Sequence, residues 1–127
     1  MAASEDGRWR PPPDRVDEVR AVALHILDLA RPAARTVGYA IGLHGSLERD
    51  VDLIAVPWTE DAADELAVVS AIQQAITDNL GQCYRSHPSQ VDEKPHGRRA
   101  WILYFQGAVE TENGAYPFVD LSVLPRR

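Results

Sequence analysis

The chain has 127 residues, 45% of them hydrophobic and 25% charged, which is the balance of one compact domain with its own core. A net charge of −6 gives no general field for a polyphosphate backbone, so long nucleic acid is an unlikely partner on charge alone. One thiol, Cys83, excludes an intramolecular disulfide framework and a multi-cysteine zinc site, and it fits a reducing compartment.

Residues 1–13 are polar and end in Pro11-Pro12-Pro13, so a flexible tail is expected before a single domain over 14–127. The tail lacks the apolar segment of a signal peptide. No apolar run reaches the roughly 20 residues of a membrane span, so no membrane partner and a cytoplasmic location are expected.

The first helix is expected to start at Asp14 as N-cap, with Asp17 and Glu18 in the turn where the helix dipole favours anions. Val16, Val19, Val22 or Ala23, Ile26, Leu27 and Ala30 follow a helical period, and Pro32 is the expected stop. Thr36 to Leu43 reads as a strand. Val51 to Val56 reads as a second, apolar enough to be central and covered on both faces. Thr59 or Asp61 would cap a second helix running to about Leu80, where Gly81 is a natural stop.

From Cys83 to Arg99 the pattern weakens into loop, marked by Pro88, Pro95 and Gly97. Ala100 to Phe105 is a strand, and Asn113-Gly114 signals a tight turn into a last strand over Tyr116 to Leu124. Helix, strand, strand, helix, strand, strand is the order of an α+β or α/β sandwich on a mixed sheet.

The chemistry concentrates in residues 45–54, where a Gly45-Ser46 turn leads into Asp50 and Asp52, two apart at the mouth of Leu53-Ile54-Ala55-Val56. On a strand, such residues project to one face. Two close carboxylates repel and resist desolvation unless a cation or donors neutralise them, and Mg²⁺ with its oxygen ligands is the simplest neutraliser. The last strand repeats the oddity with Asp120 between Val119 and Leu121. Were it to lie beside the first acidic strand, about 4.8 Å away, three carboxylates could share one or two metal ions.

In these residues the chain resembles the nucleotidyltransferase fold superfamily, the group that includes DNA polymerase beta and the minimal nucleotidyltransferases. The resemblance rests on Gly45-Ser46, Asp50-Val51-Asp52-Leu53 and Val119-Asp120-Leu121, in the family's order, and covers roughly residues 14–127. It implies a mixed β-sheet flanked by two helices. It also implies that Asp50 and Asp52 hold Mg²⁺ against a nucleoside triphosphate, while Asp120 completes the metal site and helps activate the hydroxyl of an unidentified acceptor. The turn at Gly45-Ser46 would bring backbone N–H groups to the phosphates, glycine having no Cβ in the way. The reaction would be in-line attack on the α-phosphate with release of pyrophosphate.

One spacing departs from the family. Only Leu47, Glu48 and Arg49 separate Ser46 from Asp50, where members usually carry a longer helix-forming stretch. That departure favours the alternative of a non-catalytic binding or regulatory module, for instance the partner of a toxin. The basic run Lys94 to Arg99 has two readings, an anion contact through Arg98 or Arg99 and a solvated loop. Arg49 is either a substrate contact or a surface partner of the acids. His44, beside the turn, reads as a satisfied strand-end residue more readily than as a substrate contact. Trp101, Tyr104 and Phe105 read as core aromatics, and Cys83 as a buried small apolar residue.

Overall fold

The computed structural model describes residues 12–45, 47, 49–87, 90–112 and 114–126. The N-terminal tail expected over 1–13 lies, but for its last two residues, outside that set. In chain order the elements are α1 (Val16–Arg35), β1 (Tyr39–His44), β2 (Asp50–Pro57), α2 (Glu65–Leu80), β3 (Cys83–Arg85), β4 (Asp92–Glu93), β5 (Arg99–Phe105), β6 (Val109–Thr111), β7 (Gly114–Tyr116) and β8 (Phe118–Val123). This is an α+β structure with a mixed sheet and two helices.

The main sheet runs β1-β2-β8-β5-β3, with β4 pairing further along β5. Only β2 and β8 are parallel; β1 with β2, β8 with β5 and β5 with β3 are antiparallel. Both helices cover one face. Val51, Leu53 and Ala55 of β2, Val119, Leu121 and Val123 of β8, and Trp101, Leu103 and Phe105 of β5 point into that layer. There they meet Ile26, Leu27 and Ala30 of α1 and Val69, Ile72 and Ile76 of α2. The alternate residues of the same strands face the other way, as period two requires.

β2 is therefore central in the sheet, between β1 and β8, but not covered on both faces. Ile54 and Val56 remain half-exposed on the side without helices. The run of apolar residues hid the alternation, because only Asp50 and Asp52 betray the outward positions.

Three boundaries differ from the sequence pattern. Asp14 sits in a short 3-10 turn, Pro13–Arg15, and no side chain caps α1. The helix continues through Pro32 to Arg35, because Ala34 is fully buried and the last turn closes with Thr36 Oγ1 donating to the Ala33 carbonyl at 2.6 Å. α2 begins later than expected, at Glu65, where the Asp64 side chain accepts from Ala67 N at 2.9 Å. The preceding residues are spent on tertiary contacts: Ala63 N donates to the Val37 carbonyl at 2.9 Å, and the Tyr39 hydroxyl donates to the Ala63 carbonyl at 2.8 Å.

The stretch read as loop contains β3, three residues long and too short to show a period. Within it Cys83 is fully buried, and burial pushes its thiol up to about 11, so it is an inert core group at neutral pH. The last segment is two strands, β7 turning back on β6 and β8 entering the main sheet, separated by Pro117. Among the described residues no helix is long and apolar enough to cross a membrane.

Candidate metal centre

Asp50 and Asp52 open β2, and Asp120 is the third residue of β8. The parallel register sets Asp52 directly beside Asp120, and Asp50 beside Phe118. All three side chains project from the helix-free face, each half-buried. One carboxylate oxygen from each lies within 4.8 Å of the other two. Strands from opposite ends of the chain thus bring the three acids together.

Burial raises the proton affinity of Asp52, and the nearby carboxylates of Asp50 and Asp120 raise it further, against a smaller opposing pull from His44. Asp120 is raised first by burial and then by Asp50, with Lys94, His44 and Arg98 opposing. The cluster carries negative charge that its surroundings do not fully compensate. Three hard oxygen donors at this separation fit Mg²⁺ or Mn²⁺ and suit soft metals poorly.

Gly45 lies against this cluster. Its φ is +88°, which favours glycine, and a Cβ placed there would stand 2.7 Å from Asp52 Oδ2, so a larger residue would displace that carboxylate. The residue that follows β1 therefore lies beside an acid of the site. Ser46, the other half of the expected phosphate turn, lies outside the described residues. Arg49 Nε is 3.7 Å from Asp50 Oδ1, a charge contact longer than a hydrogen bond, and that nitrogen is buried without a hydrogen-bond partner among the described residues.

The two arginines of the basic run part company. Arg98 reaches over the helix-free face, where Nη1 donates to Ser122 Oγ at 3.0 Å, two positions along β8 from Asp120. Arg99 points to the helix side, its Nε on Glu65 Oε2 at 3.0 Å and its Nη1 on Glu93 Oε1 at 3.4 Å, tying β5 to the start of α2 and to β4. Arg99 is a structural cation.

Two neighbours of the site were underrated by sequence. His44 pairs with Asp52 across β1 and β2 and faces the same cluster. Tyr104, read as core, is 55% exposed on the face of the acids, while Trp101 and Phe105 are buried as expected. The hairpin register and the face of β5 settle both positions, and neither is visible in local pattern.

No family model matches the chain, and no curated protein matches it. Among solved structures it is similar to the Cid1 poly(U) polymerase, crystallised with MgGTP bound in work on its UTP selectivity. The TM-score is 0.52 over 90% of this chain, at 11% sequence identity. The chain has a nucleotidyltransferase-like fold. It spans about a third of the polymerase chain it matches, 33% of its length.

Proposed function

We propose that the chain is a divalent-metal-dependent nucleotidyltransferase that moves a nucleoside monophosphate from a nucleoside triphosphate to an acceptor hydroxyl. The observation that carries this reading is the convergence of Asp50, Asp52 and Asp120 within 4.8 Å on a nucleotidyltransferase-like sheet. The raised proton affinities of Asp52 and Asp120 support it, since they mark a repulsion that a bound cation would relieve.

Asp50, Asp52 and Asp120 would hold Mg²⁺, which supplies charge neutralisation to the triphosphate and the departing pyrophosphate. Gly45, with no Cβ beside Asp52, and Ser46 are the residues that would meet the phosphates. Arg49, 3.7 Å from Asp50, and Arg98, held on Ser122, are the guanidinium groups that would meet the anionic substrate. Asp120 accepts the proton as the acceptor oxygen attacks the α-phosphorus; the new P–O bond forms as the bond to the β-phosphate breaks, and pyrophosphate leaves. The buried thiol of Cys83 fits a reducing, cytoplasmic setting.

A second reading keeps the fold as a non-catalytic module, for instance a toxin's partner. The short spacing favours it, because only three residues separate Ser46 from Asp50. Incubation with Mg²⁺ and α-labelled nucleoside triphosphates separates the two. Pyrophosphate release with label on an acceptor is the expected result. Label released as free monophosphate would make the protein a hydrolase, and no turnover with any nucleotide would leave the module.

A further inference from the structure

We infer that the free edge of β1 receives an extended acidic segment of another protein. The segment adds to the sheet as a further strand and sets two carboxylates, spaced two residues apart, against Arg31 and Arg35. The inference goes beyond the transferase reading and does not rest on it. Tyr39, at the start of this edge, lies five residues along β1 from His44, the residue that pairs with Asp52, a span of roughly 17 Å.

β1 ends the main sheet and, among the described residues, pairs with β2 alone. Trp58 N donates to the Gly38 carbonyl at 2.8 Å, and the antiparallel register carries that pairing on to Ala40 and Val56. Hydrogen-bonded pairs alternate with open ones along such a ladder, so Tyr39, Ile41 and Leu43 turn their N–H and C=O groups away from β2. Those groups have no partner among the described residues. Exposed edges are commonly blunted by lysine, proline or a bulge, and the six residues of β1 hold none of these.

Beside this edge runs an open groove of about 310 Å³, its walls including Arg31 and Arg35 of α1, Tyr39 and Ile41 of β1, and Trp58 and Thr59. Both arginines are exposed and form no ion pair among the described residues, and no carboxylate lines the groove. The dipole of α1 accounts for a cation at Arg35, but not for an uncovered strand edge beside it. Four residues apart on a helix, the two side chains start about 6 Å from each other. That is close to the roughly 7 Å between residues i and i+2 of a strand, so an acid–x–acid segment on β1 presents a carboxylate to each arginine from one face. Trp58, 78% exposed, offers an apolar wall to a further side chain of the segment.

These features choose the occupant. A small anion would satisfy the arginines and leave the strand edge open. A second copy of this chain would bring its own β1, Tyr39–His44, which has no carboxylate to set against them. The net charge of −6 disfavours a nucleic-acid strand. An extended acidic peptide meets the main-chain groups and the cations together.

The test is binding of a fluorescein-labelled peptide, TVDVDVT with blocked ends, to the whole chain by anisotropy, in EDTA and without triphosphate. Arg31→Ala and Arg35→Ala should each weaken it about 10-fold, the loss of one charged hydrogen bond, and the peptide with both acids changed to asparagine should lose about 100-fold. Two further peptides carry N-methyl groups, one on the amides of the acids and one on those of the valines. Only one set faces β1 in an added strand, so one of these peptides should fail to bind and the other should bind normally. Amide exchange at Tyr39, Ile41 and Leu43 should slow when the acidic peptide is added. The peptide controls use the wild-type protein alone, so they decide the matter even if an arginine variant does not fold. No binding of the acidic peptide at roughly 1 mM, equal binding of its asparagine form, or equal effects of the two N-methyl sets overturns the inference. Slowed exchange at the same three residues with rising protein concentration, together with a dimer in sedimentation, would give the edge to a second copy and overturn it. Full competition by inorganic phosphate with exchange in β1 unchanged would reduce it to an anion contact and overturn it as well.

Discussion

Asp52 and Asp120 stand side by side on parallel strands, one register position shared between β2 and β8. They lie 68 positions apart in the chain, so the fold holds two carboxylates together that would otherwise drift apart. Both are half-buried and both bind protons more tightly than an ordinary aspartate. The pair costs stability in the metal-free protein, as functional clusters of like charge generally do.

Replacing Asp52 by Asn removes one charge from the cluster while keeping the side-chain shape. In EDTA at neutral pH the variant should therefore be at least as stable to urea as the wild type. With Mg²⁺ and triphosphate it should lose several kcal/mol of transition-state stabilisation, a fall of about 100-fold or more in turnover. A variant that unfolds in EDTA would mark Asp52 as a structural carboxylate.

The pH dependence follows from the same groups. Their folded proton affinities lie above the unfolded ones, so between the usual aspartate range near pH 4 and the raised values folding takes up protons. Their contribution is most favourable below the unfolded value and is lost as pH rises through the folded one. In EDTA, urea midpoints should show the advantage of Asp52→Asn over wild type growing from pH 4 to pH 7. Stabilisation by Mg²⁺ should run the other way, larger at pH 7.5 than at pH 5, because the ligands must be deprotonated. An advantage constant with pH would place the cause outside the carboxylate charge.

Gly45→Ala carries two penalties, a positive φ and a Cβ 2.7 Å from Asp52 Oδ2. About 1–2 kcal/mol of backbone strain is expected, together with weaker Mg²⁺ binding as the Asp52 carboxylate is displaced. Chemical denaturation with and without Mg²⁺ reads both. A loss of stability with unchanged metal affinity would mean that the turn and the site are independent.

Asp64→Ala is the contrasting case, a helix cap on the far face of the sheet. Losing its bond to Ala67 N should cost about 1 kcal/mol and leave metal binding unchanged. A change in metal affinity would show that the start of α2 is coupled to the acids.

The acids and their order were legible in sequence because charge within an apolar strand is expensive, and expense marks purpose. The helical stripes of α1 and α2 were legible for the same reason that makes them pack. What local pattern could not supply was pairing. That β8 lies against β2, that His44 faces Asp52, and that Arg98 and Arg99 diverge to opposite faces all depend on register, which is set by contacts distant in sequence. Tyr104 was misread for a related reason: in AWILYF every residue is apolar or aromatic, and only the alternation imposed by Trp101, Leu103 and Phe105 reveals that it points outward. The late start of α2 and the run of α1 through Pro32 are cases where burial of Ala62 and Ala34 outweighed local capping and breaking signals.

The most direct test of the central claim is a Mn²⁺ titration followed by electron paramagnetic resonance, in the presence of nucleoside triphosphate, comparing wild type with Asp50→Asn, Asp52→Asn and Asp120→Asn. Saturable binding in the wild type, weakened in all three variants, is the predicted result. Equal binding in wild type and Asp120→Asn would contradict the shared site, and no protein-dependent binding in any of them would contradict the metal centre itself.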